Sequence, residues 1–242
     1  MTTLCNALAH IGVVVPAHDE EQHLGTCLAS LLLAADHARA LGHDVTLVVV
    51  LDSCQDRSAT VVAEIAESHD ITIVNIAAAN VGVARHAGVQ ALPDGIDWLA
   101  FTDADTHVSN SWLTDLYGLG TEVVCGGVYL VQWQALSPDI RARYLAHQRQ
   151  NVERQHIHGA NMGISMAVYR RLGGFRPLRC HEDVDLIERH LAAHGNVTWA
   201  PNLRVMTSAR HQARAPNGLG ALLQSLAHPS STSTDGQTPL PG

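Results

Sequence analysis

The chain has 242 residues, of which 46% are hydrophobic and 16% charged, and it carries a formal net charge of -8. Its length suits one large α/β domain, or at most two small ones, and is enough for a sizeable core. The sequence contains 16 His and no Lys, which excludes Schiff-base lysine chemistry and the phosphate-binding lysines of P-loop proteins and protein kinases.

The two parts of the chain carry opposite charge. Residues 1–140 hold 17 acidic residues and three Arg, whereas residues 141–242 hold six acidic residues and 12 Arg. Carboxylates suit metal ions and Arg suits phosphates or other anions, although a chance partition of surface charge is the alternative. No basic run interleaves with aromatic residues, so a nucleic-acid partner is not expected.

The cysteine pattern and the hydropathy of the sequence predict where in the cell the protein is located. The five Cys are widely spaced and form no C-x-x-C motif, which predicts reduced thiols. There is no signal-peptide pattern, and no apolar run approaches about 18 residues. We expect a cytoplasmic protein without a transmembrane segment.

The first hundred residues predict repeated strand–helix units. The predicted strands are 11–15, 45–51, 71–76 and 98–101. The predicted helices run from Leu24 to Gly42 with Asp19 as N-cap, over 58–67, and from Asn80 to Pro93. Because the strands are apolar on both faces, we expect an α/β fold with a central, mostly parallel sheet and helices on both faces.

The pattern changes after about residue 120. The sequence predicts a long strand over 123–133, a polar helix over 138–155, a strand or turn over 159–166, a helix over 182–194 and strands at 197–199 and 205–207. Residues 229–242 are rich in Ser, Thr, Pro and Gly and are predicted to be disordered. We therefore expect a single domain over residues 1–228.

Polar side chains follow the predicted parallel strands. His18, Asp52, Asn80 and Asp103 come at the four strand ends, where the ligand crevice of such a sheet lies. The first strand–helix turn contains no glycine, which argues against a dinucleotide-binding fold.

Asp103 and Asp105 directly follow a buried strand. In an extended segment, side chains two residues apart point the same way, so both carboxylates can face one Mg²⁺ or Mn²⁺ ion. A solvated turn is the alternative interpretation.

Two further segments are candidates for chemistry. Four acidic residues open the predicted helix at 182, and one of them can serve as a general base, although the helix dipole alone also favours acids there. Residues 158–163 combine two glycines with polar groups, which suits close approach to a ligand or a simple β-turn. The histidines lack the spacing of a zinc site.

Taken in order, these motifs resemble the inverting glycosyltransferases of family 2, which have the glycosyltransferase-A fold, from residue 11 to about 220. The matching segments are V-V-V-P-A-H-D-E-E at 13–21, L-D-S-C-Q-D-R-S at 51–58, N-V-G-V-A-R-H-A-G at 80–88, Asp103-x-Asp105, G-G-F at 173–175 and H-E-D-V-D-L at 181–186. The sequence departs from the family pattern at Asp19, Ser53, Cys54 and His86.

The resemblance implies transfer of a sugar from a nucleoside diphosphate sugar to an acceptor hydroxyl with inversion, assisted by Mn²⁺ or Mg²⁺. A UDP-sugar is favoured and a GDP-sugar is the alternative. Residues 10–120 would form the half that binds the donor and the metal, and residues 121–220 the acceptor half.

The resemblance also implies roles for individual residues. Donor contacts fall on Pro16, Glu20, Asp52, Arg85, Asp103 and Arg210. Metal ligands fall on Asp105, Asp103 and His211. Asp183 is implied as the catalytic base with Glu182 as its neighbour, and acceptor contacts are expected from His158, Gly159, Ala160, Asn161 and His181.

Other functions remain open at the level of sequence. A sugar-phosphate nucleotidyltransferase also uses metal-binding carboxylates, but it normally opens with a glycine-rich loop that this chain lacks. A catalytically silent sugar-nucleotide-binding protein on the same fold is a second alternative. The arginines at 141, 143, 149 and 154 are compatible with peripheral contact to a membrane or a lipid-linked acceptor, or with a solvated helix face.

Overall fold

The computed structural model describes residues 8–131, 136–150 and 157–208. The strands in these ranges are β1 (His10–Ala17), β2 (Asp44–Asp52), β3 (Ile71–Ile76), β4 (Trp98–Phe101), β5 (Thr106–His107), β6 (Val123–Val131), β7 (Met162–Ser165) and β8 (Thr198–Ser208). The helices are α1 (Leu24–Ala40), α2 (Ser58–Ala66), α3 (Val81–Gln90), α4 (Trp112–Gly118), α5 (Pro138–Gln150), α6 (Met166–Arg171) and α7 (Glu182–Ala192).

All eight strands belong to one sheet with the order β3-β2-β1-β4-β7-β6-β8-β5. Strands β3, β2, β1 and β4 are parallel neighbours, as are β6 and β8. The pairs β4–β7, β7–β6 and β8–β5 are antiparallel. Parallel neighbours need long crossovers, which α1, α2 and α3 supply. The predicted mostly parallel sheet is confirmed.

The sheet is covered on both faces because its central strands are apolar on both sides. Along β1, Val13 and Val15 pack into one hydrophobic cluster and Val14 packs into the other. The first cluster contains buried side chains of α1 and α4, and the second contains those of α3, α6 and α7. Helices on both faces were predicted and are confirmed.

The prediction that Asp19 caps α1 is wrong. The N-cap residue of α1 is His23, and Asp19 has a φ of 53°. Its Oδ1 accepts hydrogen bonds from the backbone N–H groups of Gln55 and Asp56 at 2.7 and 3.2 Å. The Asp19 carboxylate therefore joins the loop after β1 to the loop after β2.

The predicted strands over 71–76 and 98–101 have the observed bounds of β3 and β4. The two strands predicted at 197–199 and 205–207 are one strand, β8, whose pairing with β6 shifts register at Gly126 and Gly127. The sequence did not predict β5, α4 or α6. The last predicted residues of the strand over 123–133 and of the helix over 138–155 lie outside the described residues, as does the tail over 229–242.

The carboxyl ends of β1, β2 and β4 lie side by side because these strands are adjacent and parallel. The candidate site forms at this edge of the sheet, where α/β proteins bind ligands. No helix in the described ranges is both long enough and apolar enough to cross a membrane.

Candidate active site

The first part of the site lies at the ends of β1 and β2. The Nδ1–H of His18 donates to the backbone oxygen of Asp52 at 2.6 Å, and the backbone N–H of Glu20 donates to Ser58 Oγ at 2.7 Å. These bonds hold the two loops together, with Pro16 and Glu20 half-buried and Asp52 buried. The predicted donor residues Pro16, Glu20 and Asp52 are therefore neighbours.

Asp52 uses its carboxylate to hold the loop that begins α3. Its Oδ1 accepts from the backbone N–H groups of Ala78 and Ala79, and its Oδ2 accepts from that of Asn80, each at 2.8 Å. Burial raises the pKa of Asp52, but these bonds and one from the Ser53 hydroxyl outweigh it and lower the pKa below its ordinary value. Asp52 is therefore an ionised carboxylate that fixes backbone.

Asp103 and Asp105 lie in a turn between β4 and β5, so the predicted extended conformation is wrong. The N–H of Thr106 donates to the backbone oxygen of Asp103 at 3.0 Å, which closes the turn. Thr207 on β8 donates its hydroxyl proton to Asp105 Oδ1 at 3.1 Å. Asp105 is thus oriented by a residue more than a hundred positions away, because β5 and β8 are paired there.

The carboxylates of this turn fit a divalent cation. Burial raises the pKa of Asp103, the Arg85 guanidinium lowers it, and the negative charges of Asp105 and Asp183 raise it again, for a net rise. Within the described ranges, no hydrogen bond engages Asp103 Oδ2. Asp103 and Asp105 therefore offer hard oxygen ligands whose mutual repulsion a divalent cation relieves.

Arg85 lies beneath this turn rather than on the surface of the crevice. Its side chain is 3% exposed, and its Nη2 donates to Asp103 Oδ1 at 2.6 Å. Its Nη1 donates to Glu182 Oε1. The residue that the resemblance placed near the donor phosphates therefore has two carboxylate partners within the chain.

The acidic residues at the start of α7 have different partners. Glu182 is buried and bound to Arg85. Asp185 forms ion pairs with Arg176 at 2.9 Å and with Arg189 at 2.8 Å. Both carboxylates are thus neutralised by Arg and are poorly suited to accept a proton.

Asp183 has a different environment. It is half-buried, and its Oδ2 accepts a hydrogen bond from the backbone N–H of Gly159 at 2.6 Å. No basic side chain of the described residues forms an ion pair with it. Burial raises the pKa of the Cys125 thiol to about 12, with a further contribution from the negative charge of Asp183. Asp183 is thus a carboxylate that the Gly159 N–H orients, and its negative charge contributes to the raised pKa of Asp103.

Asn161 cannot contact an acceptor as expected, because it is 0% exposed. Its Nδ2 donates to the backbone oxygens of Gly127 and Leu203 at 2.8 and 2.9 Å. Its Oδ1 accepts from the indole N–H of Trp112 at 2.9 Å. The amide therefore joins β6, β8 and α4, and we correct its role to a structural one.

The other expected acceptor residues differ in exposure. Gly159 and Ala160 are buried, His158 is half-buried and His181 is exposed. His181 precedes α7 with a φ of 59°. His158, Gly159 and His181 remain candidates for acceptor contact because Gly159 and α7 border Asp183.

A second acidic group lies at the ends of β1 and β2. Ligand atoms of Asp19, Cys54 and Asp56 lie within 4.8 Å of one another. However, Asp56 Oδ1 accepts from the backbone N–H and hydroxyl of Ser58, and burial raises the pKa of the Cys54 thiol. A protonated thiol is a poor metal ligand, so we assign this group to loop structure.

Two contacts were not predicted from the sequence. Thr207 orients Asp105, and the Phe175 ring lies 5.8 Å from the Arg85 guanidinium carbon. Both depend on residues distant in sequence, and no local pattern indicates them. Arg210 and His211 lie outside the described residues, so their expected roles stay predictions.

Comparison with known proteins decides the family. The sequence profile described as glycosyl transferase family 2 matches residues 12–173, more than half of the chain. The chain belongs to glycosyltransferase family 2. The resemblance found in the motifs is confirmed.

Solved structures of glycosyltransferases share the fold. TarS 1–349 from S. aureus, in complex with UDP-GlcNAc, matches with a TM-score of 0.65 and 13% identity, over 90% of this chain and 65% of that one. The mannosyltransferase PcManGT from Pyrobaculum calidifontis, in complex with GDP-Man and Mn²⁺, matches with a TM-score of 0.67 and 15% identity, over 93% of this chain and 71% of that one. The glycosyltransferase-A fold is thereby confirmed.

The relatives are distant. The chain spans 60% of TarS 1–349 in its uncomplexed structure, with a TM-score of 0.62 and 13% identity. The comparison with curated proteins gives no match.

Proposed function

We propose that the protein transfers a sugar from a nucleoside diphosphate sugar to an acceptor hydroxyl in a single displacement with inversion. The observation that carries this proposal is the placement of Asp183. It is held by the Gly159 N–H at 2.6 Å, and its negative charge contributes to the raised pKa of Asp103 in the turn after β4. A carboxylate beside a metal-binding turn suits proton removal from a hydroxyl.

The donor binds, in this proposal, across the ends of β1, β2 and β4. Pro16, Glu20 and Asp52 contact the nucleoside, with Glu20 near the ribose. Direct contact of Asp52 with the base uses its Oδ2, which has a single backbone partner. The structures of TarS 1–349 and PcManGT hold UDP-GlcNAc and GDP-Man, respectively. A UDP-sugar is our first choice of donor and a GDP-sugar our second.

Asp103 and Asp105 would hold Mn²⁺ or Mg²⁺, with His211 as a further ligand. Such a cation supplies stabilisation of the negative charge on the leaving diphosphate. Arg210 is proposed to contribute positive charge to the same group, since the chain has no Lys. Arg donates to phosphate oxygens bidentately.

The transfer itself requires one proton acceptor and one nucleophile. Asp183 takes the proton of the acceptor hydroxyl, and the hydroxyl oxygen forms a bond to the anomeric carbon. The bond from that carbon to the diphosphate oxygen breaks, and the diphosphate leaves with the electron pair. The new bond forms on the opposite face, so the anomeric configuration inverts.

Ligand-induced stabilisation tests the donor class. UDP, UDP-GlcNAc, GDP and GDP-mannose are compared by calorimetry and thermal unfolding, with and without Mn²⁺, and ADP is the matched control. We expect one uridine or guanosine pair to raise Tm in the presence of Mn²⁺, and ADP to have no effect. Absence of binding by all four ligands would contradict the proposal.

Product analysis tests the reaction. The released nucleoside diphosphate is measured with a panel of sugar, glycan and lipid-linked acceptors, and the anomeric configuration of the product is read by NMR. Binding without consumption of any donor would favour the catalytically silent alternative. A product that retains the donor's configuration would contradict the single displacement.

A further inference from the structure

Arg85 is a buried cation with two acidic partners on different segments. Its Nη2 donates to Asp103 Oδ1 at 2.6 Å and its Nη1 donates to Glu182 Oε1. The side chains of Arg85 and Glu182 are 3% and 5% exposed. The guanidinium therefore links the turn after β4 to the first residue of α7.

The space around this guanidinium leaves no room for a ligand on the side of Gly159. A Cβ built on Gly159 would overlap the Arg85 guanidinium atoms. On another side the Phe175 ring centroid lies 5.8 Å from the guanidinium carbon. The N–H of Gly159 also donates to Asp183, so one glycine packs on Arg85 and orients the proposed base.

The backbone that carries Arg85 is fixed relative to the segment before α7. Asn80 caps α3 by accepting from the Val83 N–H at 3.1 Å, and its Nδ2 donates to the backbone oxygen of Pro177 at 3.1 Å. The N–H of Gly82 donates to the backbone oxygen of Leu178 at 3.1 Å. One side-chain bond from Asn80 and one main-chain bond from Gly82 therefore join the start of α3, the helix that carries Arg85, to the segment before α7.

We propose that Arg85 is a positioning residue for sugar transfer, which fixes the orientation of Asp103 and Glu182 and does not itself contact the donor. This inference rests on the proposed function. It departs from the donor contact that the motif resemblance implied, because both terminal nitrogens of Arg85 are bonded to carboxylates and the side chain is buried. A residue of this kind affects the rate of a reaction by holding the metal-binding and catalytic groups in position.

The same contacts assign a role to Glu182. Its carboxylate is the second partner of Arg85, so it holds the guanidinium in place instead of accepting the acceptor's proton. Gly159 completes the arrangement because it packs on Arg85 and bonds to Asp183. Displacement of Arg85 is therefore expected to disturb both Asp103 and Asp183.

The test compares Arg85→Met, Arg85→Lys, Glu182→Gln and Gly159→Ala, with Arg171→Met as the matched control because Arg171 is 55% exposed on α6. For each variant, kcat and KM are measured with UDP-GlcNAc or GDP-mannose, whichever the wild type turns over. The Kd for UDP or GDP is measured by calorimetry in EDTA. Thermal unfolding reports the fraction of folded protein.

We expect Arg85→Met and Gly159→Ala to lower kcat of the folded protein by about 10–100-fold, as for other supporting residues, with no change in the Kd for the metal-free nucleotide. Arg85→Lys keeps the positive charge but replaces the planar guanidinium, which donates from two terminal nitrogens, with a single ammonium group. Its kcat is therefore expected to lie between those of Arg85→Met and the wild type. Arg171→Met is expected to match the wild type. Gly159→Ala keeps every charge, so it still tests the inference if Arg85→Met does not fold.

Three results overturn the inference. A Kd for metal-free UDP or GDP that rises about tenfold or more in Arg85→Met shows a direct donor contact. An unchanged kcat in folded Arg85→Met and Gly159→Ala, with only a lower Tm, shows a purely structural residue. If the wild type consumes no nucleotide sugar, the proposed function and this inference are overturned together. If the wild type is active and either of the first two results is found, only the inference is overturned.

Discussion

The indole N–H of Trp112 donates to Oδ1 of Asn161 at 2.9 Å, inside the protein. This bond places Asn161 among the residues that hold the fold. The two amide protons of Asn161 are also used, for backbone oxygens of β6 and β8. Sequence alone put the same residue in the acceptor site, because it lies in a segment that combines two glycines with polar groups.

Replacement of Asn161 by Leu tests this structural role. The variant removes the partner of the Trp112 indole N–H and one hydrogen bond from each of two backbone oxygens. We expect this loss to lower the free energy of unfolding by about 2–3 kcal/mol. Urea unfolding measures the loss, and Asn202→Leu, at an exposed position of β8, is the control. A stable Asn161→Leu with a raised KM for the acceptor would restore the acceptor-binding interpretation.

Asp52 makes the stability of the protein depend on pH. Its carboxylate accepts three backbone N–H bonds, and Asp52→Asn is expected to lower the free energy of unfolding near neutral pH by about 2 kcal/mol. Because these bonds lower the pKa in the folded state, the contribution is present above the unfolded value of about 3.9 and is lost as pH falls through the folded value.

Urea unfolding of the wild type and Asp52→Asn between neutral pH and about pH 2 checks the sign. The difference in stability is expected to shrink below about pH 4. Asp70→Asn, at an exposed position, controls for loss of one negative charge. A difference that stays constant as pH falls would show that Asp52 does not act through its ionised form.

Asp105 is the proposed metal ligand that β8 orients. Asp105→Ala is expected to lower turnover of a nucleotide sugar by about a thousandfold, equal to about 4 kcal/mol of transition-state stabilisation. EDTA is expected to abolish turnover in the wild type, and added Mn²⁺ to restore it. Asp94→Ala, an exposed acidic residue, is the control. Wild-type turnover by Asp105→Ala without metal would reject the role.

Thr207 provides a milder probe of the same ligand. Its hydroxyl donates to Asp105 Oδ1 at 3.1 Å, and Thr207→Val removes the donor while keeping the shape. We expect the Kd for Mn²⁺, measured by calorimetry, to rise about tenfold or more because an orienting partner is lost. Equal Mn²⁺ affinity in Thr207→Val and the wild type would show that Asp105 needs no such partner.

The sequence predicted the first hundred residues of the fold well because the signals there are local. Strands β3 and β4 are short apolar runs with turn residues on both sides, and Asn80 is a typical N-cap. Strand β5 and its pairing with β8 were missed because a two-residue strand carries no periodicity. The turn at Asp103–Asp105 was therefore predicted as extended chain.

The contents of the site were easier to predict than its contacts. Residue type and position at strand ends indicated Asp52 and Asp103, and the acidic cluster that opens α7, together with the family resemblance, indicated Asp183. What the sequence could not show is which carboxylates are neutralised. Glu182 and Asp183 are adjacent in sequence, yet one is bound to Arg85 and the other to the Gly159 N–H. This difference arises because α3 places Arg85 beside Glu182 and the segment before β7 places Gly159 beside Asp183.

The measurement that tests the account most directly is the kinetic and binding comparison of Asp183→Asn with Glu188→Gln, an exposed carboxylate on the same helix. Calorimetry with the nucleoside diphosphate that the wild type binds, in the presence of Mn²⁺, gives the affinity for the donor side. Turnover of the matching nucleotide sugar gives kcat. We predict that Asp183→Asn binds the nucleotide like the wild type while its kcat falls by about 10²–10⁴-fold, and that Glu188→Gln retains both. A kcat at the wild-type level in Asp183→Asn would contradict the assignment of Asp183 as the base.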